Sequence, residues 1–245
     1  MCSVVEPLKT PRALSQAARI ELPRTRYTDR ADAGRVLAAA VRKELEQRLV
    51  SGKPLVLAIP RGGVPIGRDV AAALQADLDI VVPRKLGAEG NPEYAIGAVM
   101  YDGTLYLNPE ALRITGASAE YIEAEKAREM KEASRRLAAY RGGRREPILS
   151  DRVVIVVDDG IATGSTMMVA LRWVRSRGAR TVVAAAPVAP PSTLEELMHE
   201  ADRVICPLTT EPFYAIGAFY ESFPQVSDEE VEKILQDYWK GPPKS

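Results

Sequence analysis

Histidine and cysteine are scarce in this chain of 245 residues, which contains one histidine and two cysteines. The histidine, His199, falls in a predicted surface helix, so we expect neither a histidine-based catalytic triad nor a histidine-rich metal site. Cys2 and Cys206 do not have the spacing of metal ligands, and we expect both to be reduced thiols in a cytoplasmic protein.

The sequence also lacks an excess of either charge and any long hydrophobic run. Its 33 Lys and Arg residues balance 33 Asp and Glu residues, so we do not expect nucleic acid or an anionic membrane as its main partner. No apolar stretch approaches the length of a membrane span. The 46% hydrophobic content is sufficient for the core of one α/β domain with a smaller appended region.

The most informative segment covers residues 153–166. Its five consecutive β-branched residues, 153–157, predict a strand that is covered on both faces, as in a parallel sheet. Small residues follow, and an amphipathic pattern then runs from Thr166 to near Gly178. The unpaired N–H groups at the start of that helix, and the positive end of its dipole, favour the binding of a phosphate.

Two carboxylates, Asp158 and Asp159, stand between the strand and the loop. An acidic pair beside an anion site needs partners of its own, and hydroxyl groups or a divalent cation are suitable ones. A ligand with a phosphate at one end and vicinal hydroxyls nearby is a ribose 5-phosphate. Two other interpretations stay open: a Walker B strand, although the chain has no G-x-x-x-x-G-K-[ST] motif, and an ordinary βα turn in which Asp caps the helix.

This segment resembles the binding motif for phosphoribosyl pyrophosphate (PRPP) in type I phosphoribosyltransferases, which consists of an apolar strand, two acidic residues and a Thr-Gly-rich loop. The resemblance implies that the loop holds the 5-phosphate and that the two carboxylates hold the ribose and, directly or through water, Mg²⁺. It assigns PRPP binding to one set of residues: Asp158, Asp159, Ala162, Thr163, Gly164, Ser165 and Thr166.

A second glycine-rich turn, residues 60–63, follows another predicted strand. Arg61 supplies a positive charge, and we expect Gly62 and Gly63 to expose backbone N–H groups to a second anion. By the same resemblance this turn is the pyrophosphate loop, with a cis peptide bond between Pro60 and Arg61. The alternative is an ordinary glycine-rich βα turn with a surface arginine.

Residues 83–94 are rich in glycine and proline and resemble the flexible loop that closes over PRPP in these enzymes. The resemblance makes Arg84 and Lys85 candidates for binding the pyrophosphate leaving group. It also makes Glu89 and Glu93 candidates for the catalytic acid that adenine enzymes carry in this loop. A solvated connector between strands is the alternative.

The acceptor base is not determined by these motifs. Hypoxanthine–guanine enzymes of the family carry an aspartate at the position of Ala162. Adenine-type loops have alanine there, as this chain does. An aromatic-rich segment, residues 212–220, could stack on a planar base. The alternative for this segment is a local core beneath a long loop, and apolar clusters of that kind are common.

The order of the remaining patterns predicts an α/β fold of the type I phosphoribosyltransferase (Rossmann-like) kind, with a mostly parallel central sheet flanked by helices. We predict a loosely ordered extension at 1–26, a phosphoribosyltransferase domain at 27–225, and a C-terminal helix and tail at 226–245. Within the domain we expect a helical insertion at about 108–150 and a small hood at about 187–225.

As a whole, the resemblance implies an Mg²⁺-dependent enzyme of nucleotide salvage that transfers the 5-phosphoribosyl group from PRPP to a nitrogenous base and releases pyrophosphate. It also implies a homodimer, which is usual in the family. A PRPP-binding regulatory or interaction protein without turnover is the alternative. Arg61, Arg84 and Lys85 favour catalysis, because the handling of pyrophosphate requires positive charge.

Overall fold

The computed structural model of the chain describes residues 25–46 and 53–241. The predicted N-terminal extension therefore lies almost wholly outside the described residues, as does Cys2. No helix within the two described ranges is long and apolar enough to cross a membrane.

Strands and helices alternate along most of the described chain. The strands are β1 Leu55–Ala58, β2 Asp77–Ile80, β3 Arg84–Ala88, β4 Asn91–Val99, β5 Leu105–Leu107, β6 Val153–Val157, β7 Thr181–Ala185, β8 Val188–Ala189, β9 Arg203–Ile205 and β10 Leu208–Thr209. The helices are α1 Arg30–Glu46, α2 Gly63–Leu74, α3 Pro109–Thr115, α4 Ala119–Arg141, α5 Ser165–Ser176, α6 Pro191–Leu197 and α7 Asp228–Lys240, with a short 3₁₀ helix at Ile216–Phe219.

Five parallel strands form the central sheet, in the order β2-β1-β6-β7-β9. Strands β1 and β6 at its centre are wholly buried, as expected for a sheet covered by helices on both faces, and the predicted fold class is confirmed. The chain leaves β1 towards β2 on one side and leaves β6 towards β7 on the other. Ligands of open α/β sheets bind at the carboxyl ends of the strands where the order reverses in this way.

Two hydrophobic cores lie on opposite faces of this sheet. Ile155 and Val156 of β6 enter different cores, because successive side chains of a strand point to opposite faces. Residues of α1, α2 and α7 complete the first core, and residues of α5 and α6 complete the second. Since helices cover both faces, the ends of the strands are the natural place for a binding site.

A smaller antiparallel sheet, β3-β4-β5, packs against α3 and α4 and contains the segment for which the sequence predicts a flexible loop. The predicted flexible loop at 83–94 forms a hairpin, because β3 and β4 pair there, and its closure over a ligand stays a prediction. Gly87 permits the close pairing, since a Cβ at this position would lie 2.6 Å from the carbonyl oxygen of Pro92. Gly90 makes the turn with φ 73°, and Leu86 anchors the hairpin in a buried cluster.

The long charged helix that the sequence predicts from about 118 to 140 is α4. The side chain of Ser118 caps its start by accepting a hydrogen bond from the N–H of Tyr121, and Gly142 ends it in the left-handed conformation. Three ion pairs lie along it: Glu123–Lys126, Glu125–Arg128 and Glu132–Arg136. The helix buries Ala133 and Tyr140, which dock it on the domain.

Candidate functional site

The two glycine-rich loops predicted as anion sites leave the carboxyl ends of the adjacent strands β1 and β6. They therefore lie side by side at the point where the strand order reverses. The peptide bond between Pro60 and Arg61 is cis, as the resemblance implied. One edge of the sheet thus carries both predicted anion loops, and the acidic pair lies at the same edge.

The loop after β6 presents a run of unpaired backbone donors. From Ala162 to Met167, no backbone N–H group donates a hydrogen bond to a described residue. The side-chain Oγ of Ser165 is also buried and has no partner among those residues. Such a run at the start of a helix forms an anion site in which the N–H groups and the helix dipole act together. Thr163 is exposed and Thr166 is partly exposed, so a ligand can reach the loop.

Thr193 of α6 holds this loop in shape, and no sequence motif points to it. Its hydroxyl donates a hydrogen bond of 2.7 Å to the carbonyl oxygen of Ala162. Gly164 has the left-handed conformation with φ 75°, and a Cβ there would lie 2.8 Å from Cγ2 of Thr193. Position 164 therefore requires glycine for its backbone conformation and also for its close packing against Thr193.

Asp158 and Asp159 lie between the two loops and differ in their surroundings. Asp158 is partly exposed and has no ion pair in the described part of the chain, whereas Asp159 is buried. Desolvation, together with the neighbouring carboxylate of Asp159, raises the pKa of Asp158. Desolvation also raises the pKa of Asp159, although the Arg30 guanidinium opposes that rise. Asp158 is therefore the carboxylate that lacks a cationic partner and favours a ligand with hydroxyl groups or a cation.

Arg30 of α1 is the partner of Asp159, and the motif analysis did not identify it. Its Nε and Nη2 atoms each lie 2.9 Å from Oδ2 of Asp159. The guanidinium also lies over the ring of Phe223, 3.8 Å from the centroid, and Nη1 donates a hydrogen bond of 2.5 Å to the carbonyl oxygen of Pro224. In the sequence, Arg30 stands in a charged segment with Asp29 and Asp32, and this segment was the available signal for it.

Gly63 departs from the predicted arrangement, whereas Gly62 keeps a free backbone N–H group. The N–H group of Gly63 is already used in a hydrogen bond of 3.1 Å within the turn, so it is not free for a ligand. A Cβ at Gly62 would overlap Oδ2 of Asp159, and one at Gly63 would lie 2.7 Å from the carbonyl oxygen of Val157. The glycines therefore allow the two loops to approach each other. The N–H groups of Arg61 and Gly62 make no hydrogen bond to described residues and are available to an anion.

The side chain of Arg61 contacts the start of α7. Its Nη1 lies 3.6 Å from Oδ1 of Asp228, which also accepts a hydrogen bond of 2.6 Å from the hydroxyl of Tyr140. The hydrogen bond from Tyr140 and the charge of Arg61 lower the pKa of Asp228, so this carboxylate stays ionised. The Arg61 side chain is 31% exposed, and an anionic ligand at the turn can therefore compete with Asp228 for it.

The four residues predicted from the 83–94 segment, Arg84, Lys85, Glu89 and Glu93, lie on or beside the β3–β4 hairpin, and the last three are exposed. Arg84 forms an ion pair of 2.7 Å with Glu129 of α4, a residue whose side chain is almost fully buried. Lys85 and Glu93 are exposed and have no ion pair within residues 25–46 and 53–241. Their roles in binding pyrophosphate and in catalysis stay predictions.

Most aromatic side chains of the 212–223 region pack on one another. The ring centroids of Phe213 and Phe219 lie 4.9 Å apart, and those of Tyr220 and Phe223 lie 4.7 Å apart. These four rings adjoin the first core, which agrees with a local core beneath the loop. Tyr214 is 88% exposed, so it is the aromatic residue of this region that is open to a ligand.

The chain alone does not build a resident metal site among its described residues. No group of three or more His, Cys, Asp or Glu side chains in that part of the chain could hold a metal ion. Since Asp159 is paired with Arg30, Asp158 is the carboxylate that fits Mg²⁺. Mg²⁺ commonly takes one or two carboxylates and completes its shell with phosphate oxygens and water, so this donor set fits a metal that arrives with a phosphorylated substrate.

Comparisons with known proteins agree with this arrangement. The sequence profile described as "Phosphoribosyl transferase domain" matches residues 25–219. A Mycobacterium tuberculosis protein, named "Putative phosphoribosyl transferase" in strains H37Rv and CDC 1551, is 42% identical over 212 residues. The match covers 85% of this chain and 46% of that protein, so the chain spans about half the length of the curated relatives it matches.

A solved structure is similar over a larger share of its own length. The crystal structure of the protein TT1426 from Thermus thermophilus matches with 43% sequence identity and a TM-score of 0.71. The match covers 87% of this chain and 99% of that chain. The profile match and the Mycobacterium tuberculosis relative show that the chain belongs to the phosphoribosyl transferase family.

Proposed function

We propose that this protein transfers the 5-phosphoribosyl group of PRPP to a nitrogenous base and releases pyrophosphate. The observation that carries the proposal is the run of unpaired N–H groups from Ala162 to Met167, together with the buried and unpartnered Oγ of Ser165. Donors at this density suit a phosphate dianion. PRPP carries such a group at its 5-position, and its pyrophosphate would then reach the neighbouring turn at 60–63.

The reaction requires alignment and charge stabilisation from the protein, and it requires no covalent intermediate. A nitrogen of the base forms a bond to the anomeric carbon while the bond from that carbon to pyrophosphate breaks. The electron pair of the broken bond leaves with pyrophosphate. The nitrogen loses its proton to solvent, to the departing pyrophosphate or to the exposed carboxylate of Glu93, because Ala162 stands where some relatives of the family carry an acid.

Each loop has a defined task in this scheme. The backbone from Ala162 to Met167 holds the 5-phosphate, and Asp158 accepts hydrogen bonds from the ribose hydroxyls. The free N–H groups of Arg61 and Gly62 bind pyrophosphate. The guanidinium of Arg61 leaves Asp228 and binds pyrophosphate as well. The charge that builds up on the leaving group therefore meets fixed donors as it forms.

Mg²⁺, when bound, neutralises part of the negative charge on pyrophosphate. Asp158 is the side chain that would contact it, directly or through water, because Asp159 already neutralises Arg30. Tyr214 would contact the base, since its ring is exposed and follows Phe213, which packs against Phe219. Stacking on that ring would suit any planar base, so the base itself is not assigned.

A PRPP-binding regulatory protein without turnover is the second candidate, and one observation favours it. The two arginines expected to handle pyrophosphate both have carboxylate partners, Asp228 for Arg61 and Glu129 for Arg84. Both arginines must change partner for catalysis, whereas tight binding of the 5-phosphate and ribose needs neither change. The distinction is whether pyrophosphate is released.

The test measures PRPP binding by calorimetry and pyrophosphate release with a panel of purine and pyrimidine bases, with Mg²⁺ or with a chelator. Ser165→Ala removes the unpartnered hydroxyl, and we expect PRPP affinity to fall about tenfold, the effect of one hydrogen bond to a charged group. Ser176→Ala is the matched control at the other end of α5, because its hydroxyl bonds within its own helix.

Three outcomes separate the candidates. Release of pyrophosphate with one of the bases supports the transferase, and its loss with the chelator supports the role of Mg²⁺. PRPP binding without release for any base favours the regulator. Absence of PRPP binding by the unaltered protein, or equal effects of Ser165→Ala and Ser176→Ala, would count against the assignment of the loop.

A further inference from the structure

Asp159 is engaged on both its side chain and its main chain. Its Oδ2 receives Nε and Nη2 of Arg30, each at 2.9 Å. The side chains of Arg30 and Asp159 are 12% and 11% exposed, so the ion pair is shielded from water. The carbonyl oxygen of Asp159 accepts a hydrogen bond of 2.6 Å from the hydroxyl of Tyr220. A group fixed in this way is poorly placed to reorient towards a ligand.

Arg30 also joins parts of the chain that are distant in sequence. It begins α1, it lies against the ring of Phe223 at 3.8 Å, and it donates to the carbonyl oxygen of Pro224. The main chain just before Arg30 joins the same two segments, because the N–H of Tyr27 donates a hydrogen bond of 2.8 Å to the carbonyl oxygen of Phe219. Arg30 therefore connects the acidic pair to the first helix and to the 212–223 region at once.

The ion pair stands at the junction of the two anion loops. Oδ2 of Asp159, the atom that Arg30 holds, occupies the space that a Cβ at Gly62 would need. Gly62 belongs to the turn after β1, and Asp159 belongs to the loop after β6. The contact between Gly62 and Asp159 fixes the separation of the two loops. Arg30 holds the Asp159 side chain, which could otherwise rotate away from Gly62.

We propose that Arg30 and Asp159 form a positioning pair that sets the spacing between the phosphate loop and the pyrophosphate turn, so that Asp158 alone of the two aspartates contacts the ribose. The proposal rests on the proposed function for the identity of the ligand. It differs from the usual expectation for such an acidic pair, in which both carboxylates face the sugar.

Two ligands distinguish spacing from direct contact. PRPP spans both loops, whereas ribose 5-phosphate carries the same phosphate and ribose but no pyrophosphate. If Arg30 sets the spacing, Arg30→Gln should weaken PRPP about tenfold more than it weakens ribose 5-phosphate. If Asp159 instead held the ribose, Asp159→Asn would weaken both ligands equally, and that result would overturn the proposal. Asp158→Asn is the comparison, and without Mg²⁺ we expect it to weaken both ligands to a similar degree, because its remaining contact is the ribose that both ligands carry.

A double-variant cycle tests the pair itself. Either single change leaves a buried charge without its partner, whereas the double variant Arg30→Gln, Asp159→Asn removes both charges and keeps two amides that can hydrogen-bond. We expect the double variant to bind PRPP at least severalfold more tightly than the weaker single variant and to have the higher melting temperature. Strictly additive losses in both measurements would contradict the pairing.

Failure of this proposal can be told apart from failure of the proposed function. If the unaltered protein does not bind PRPP, the proposed function fails, and the melting temperatures of the same four proteins still decide whether Arg30 and Asp159 act as a pair. If the unaltered protein binds PRPP but the two ligands respond equally to Arg30→Gln, the function stands and the positioning role is wrong.

Discussion

Gly164 offers a quantitative test of the phosphate loop, because its backbone conformation and its packing both exclude a side chain. Its φ is 75°, and a Cβ there would lie 2.8 Å from Cγ2 of Thr193. An alanine in the left-handed region costs about 1 to 2 kcal/mol. Crowding a well-packed contact adds about 1 to 3 kcal/mol. We therefore expect Gly164→Ala to lower the free energy of unfolding by about 2 to 5 kcal/mol.

Gly90 provides the matched control. It has φ 73°, and nothing lies within 4 Å of a Cβ built there, so Gly90→Ala isolates the conformational cost. We expect a loss of about 1 to 2 kcal/mol for this variant. A second comparison uses Thr193→Ser, which keeps the hydroxyl that bonds to Ala162 and removes the methyl group that a Cβ at 164 would meet. Added to Gly164→Ala, it should recover most of the packing cost.

Urea unfolding followed by circular dichroism measures the unaltered protein and the four variants on one scale. The packing argument is refuted if Gly164→Ala is no more destabilising than Gly90→Ala. It is also refuted if Thr193→Ser gives no recovery in the Gly164→Ala background, after its own effect is subtracted. Gly164→Ala should in addition weaken PRPP binding, because the donors from Ala162 to Met167 depend on the conformation of residue 164.

Two further predictions concern a neutral hydrogen bond and an exposed ion pair. Thr193→Val keeps the methyl contact but removes the hydrogen-bond donor to the carbonyl oxygen of Ala162. PRPP affinity measured by calorimetry should therefore fall about twofold to twelvefold. Equal affinities for Thr193→Val and Thr193→Ser would contradict this. Hydrogen bonds from Arg135 and, to a smaller extent, Arg136 lower the pKa of Glu132 to about 2. The stabilisation by Glu132 is therefore complete above the ordinary pKa of 4.5 and is lost as the pH falls towards about 2. In urea titrations at pH 7, Glu132→Gln should lower the free energy of unfolding by less than about 1 kcal/mol, because the pair is exposed. Near pH 2 it should have no effect. A difference between the two proteins that is independent of pH would contradict the assignment.

The fold and the two anion loops could be predicted because their signals are local in sequence. The β-branched run at 153–157 dictates a buried strand wherever it lies, and the small residues after it dictate a turn. Parallel strands place such turns at one edge of the sheet, so two local patterns were enough to bring Arg61 and Thr163 to the same edge.

Contacts between distant residues could not be predicted in this way. Arg30 is 129 residues from Asp159, and Thr193 is 31 residues from Ala162. A charge or a hydroxyl in a helix does not reveal which partner it meets after folding. The hairpin at 83–94 escaped prediction for a related reason, because its glycines indicate a loop until Gly87 is seen to pack on the backbone of the opposite strand.

A phosphate site built from main-chain donors changes what mutational scanning can detect. Ala162 is exposed and its N–H group has no partner among the described residues, so in the proposed site it would bind the ligand, and every residue except proline carries the same donor. Many exchanges at the positions nearest the phosphate should therefore be silent, whereas Gly164 and the more remote Thr193 tolerate few. Affinity for the phosphate is thus encoded mainly in residues that shape the loop, and a scan restricted to ligand-facing side chains would assign the site too little importance.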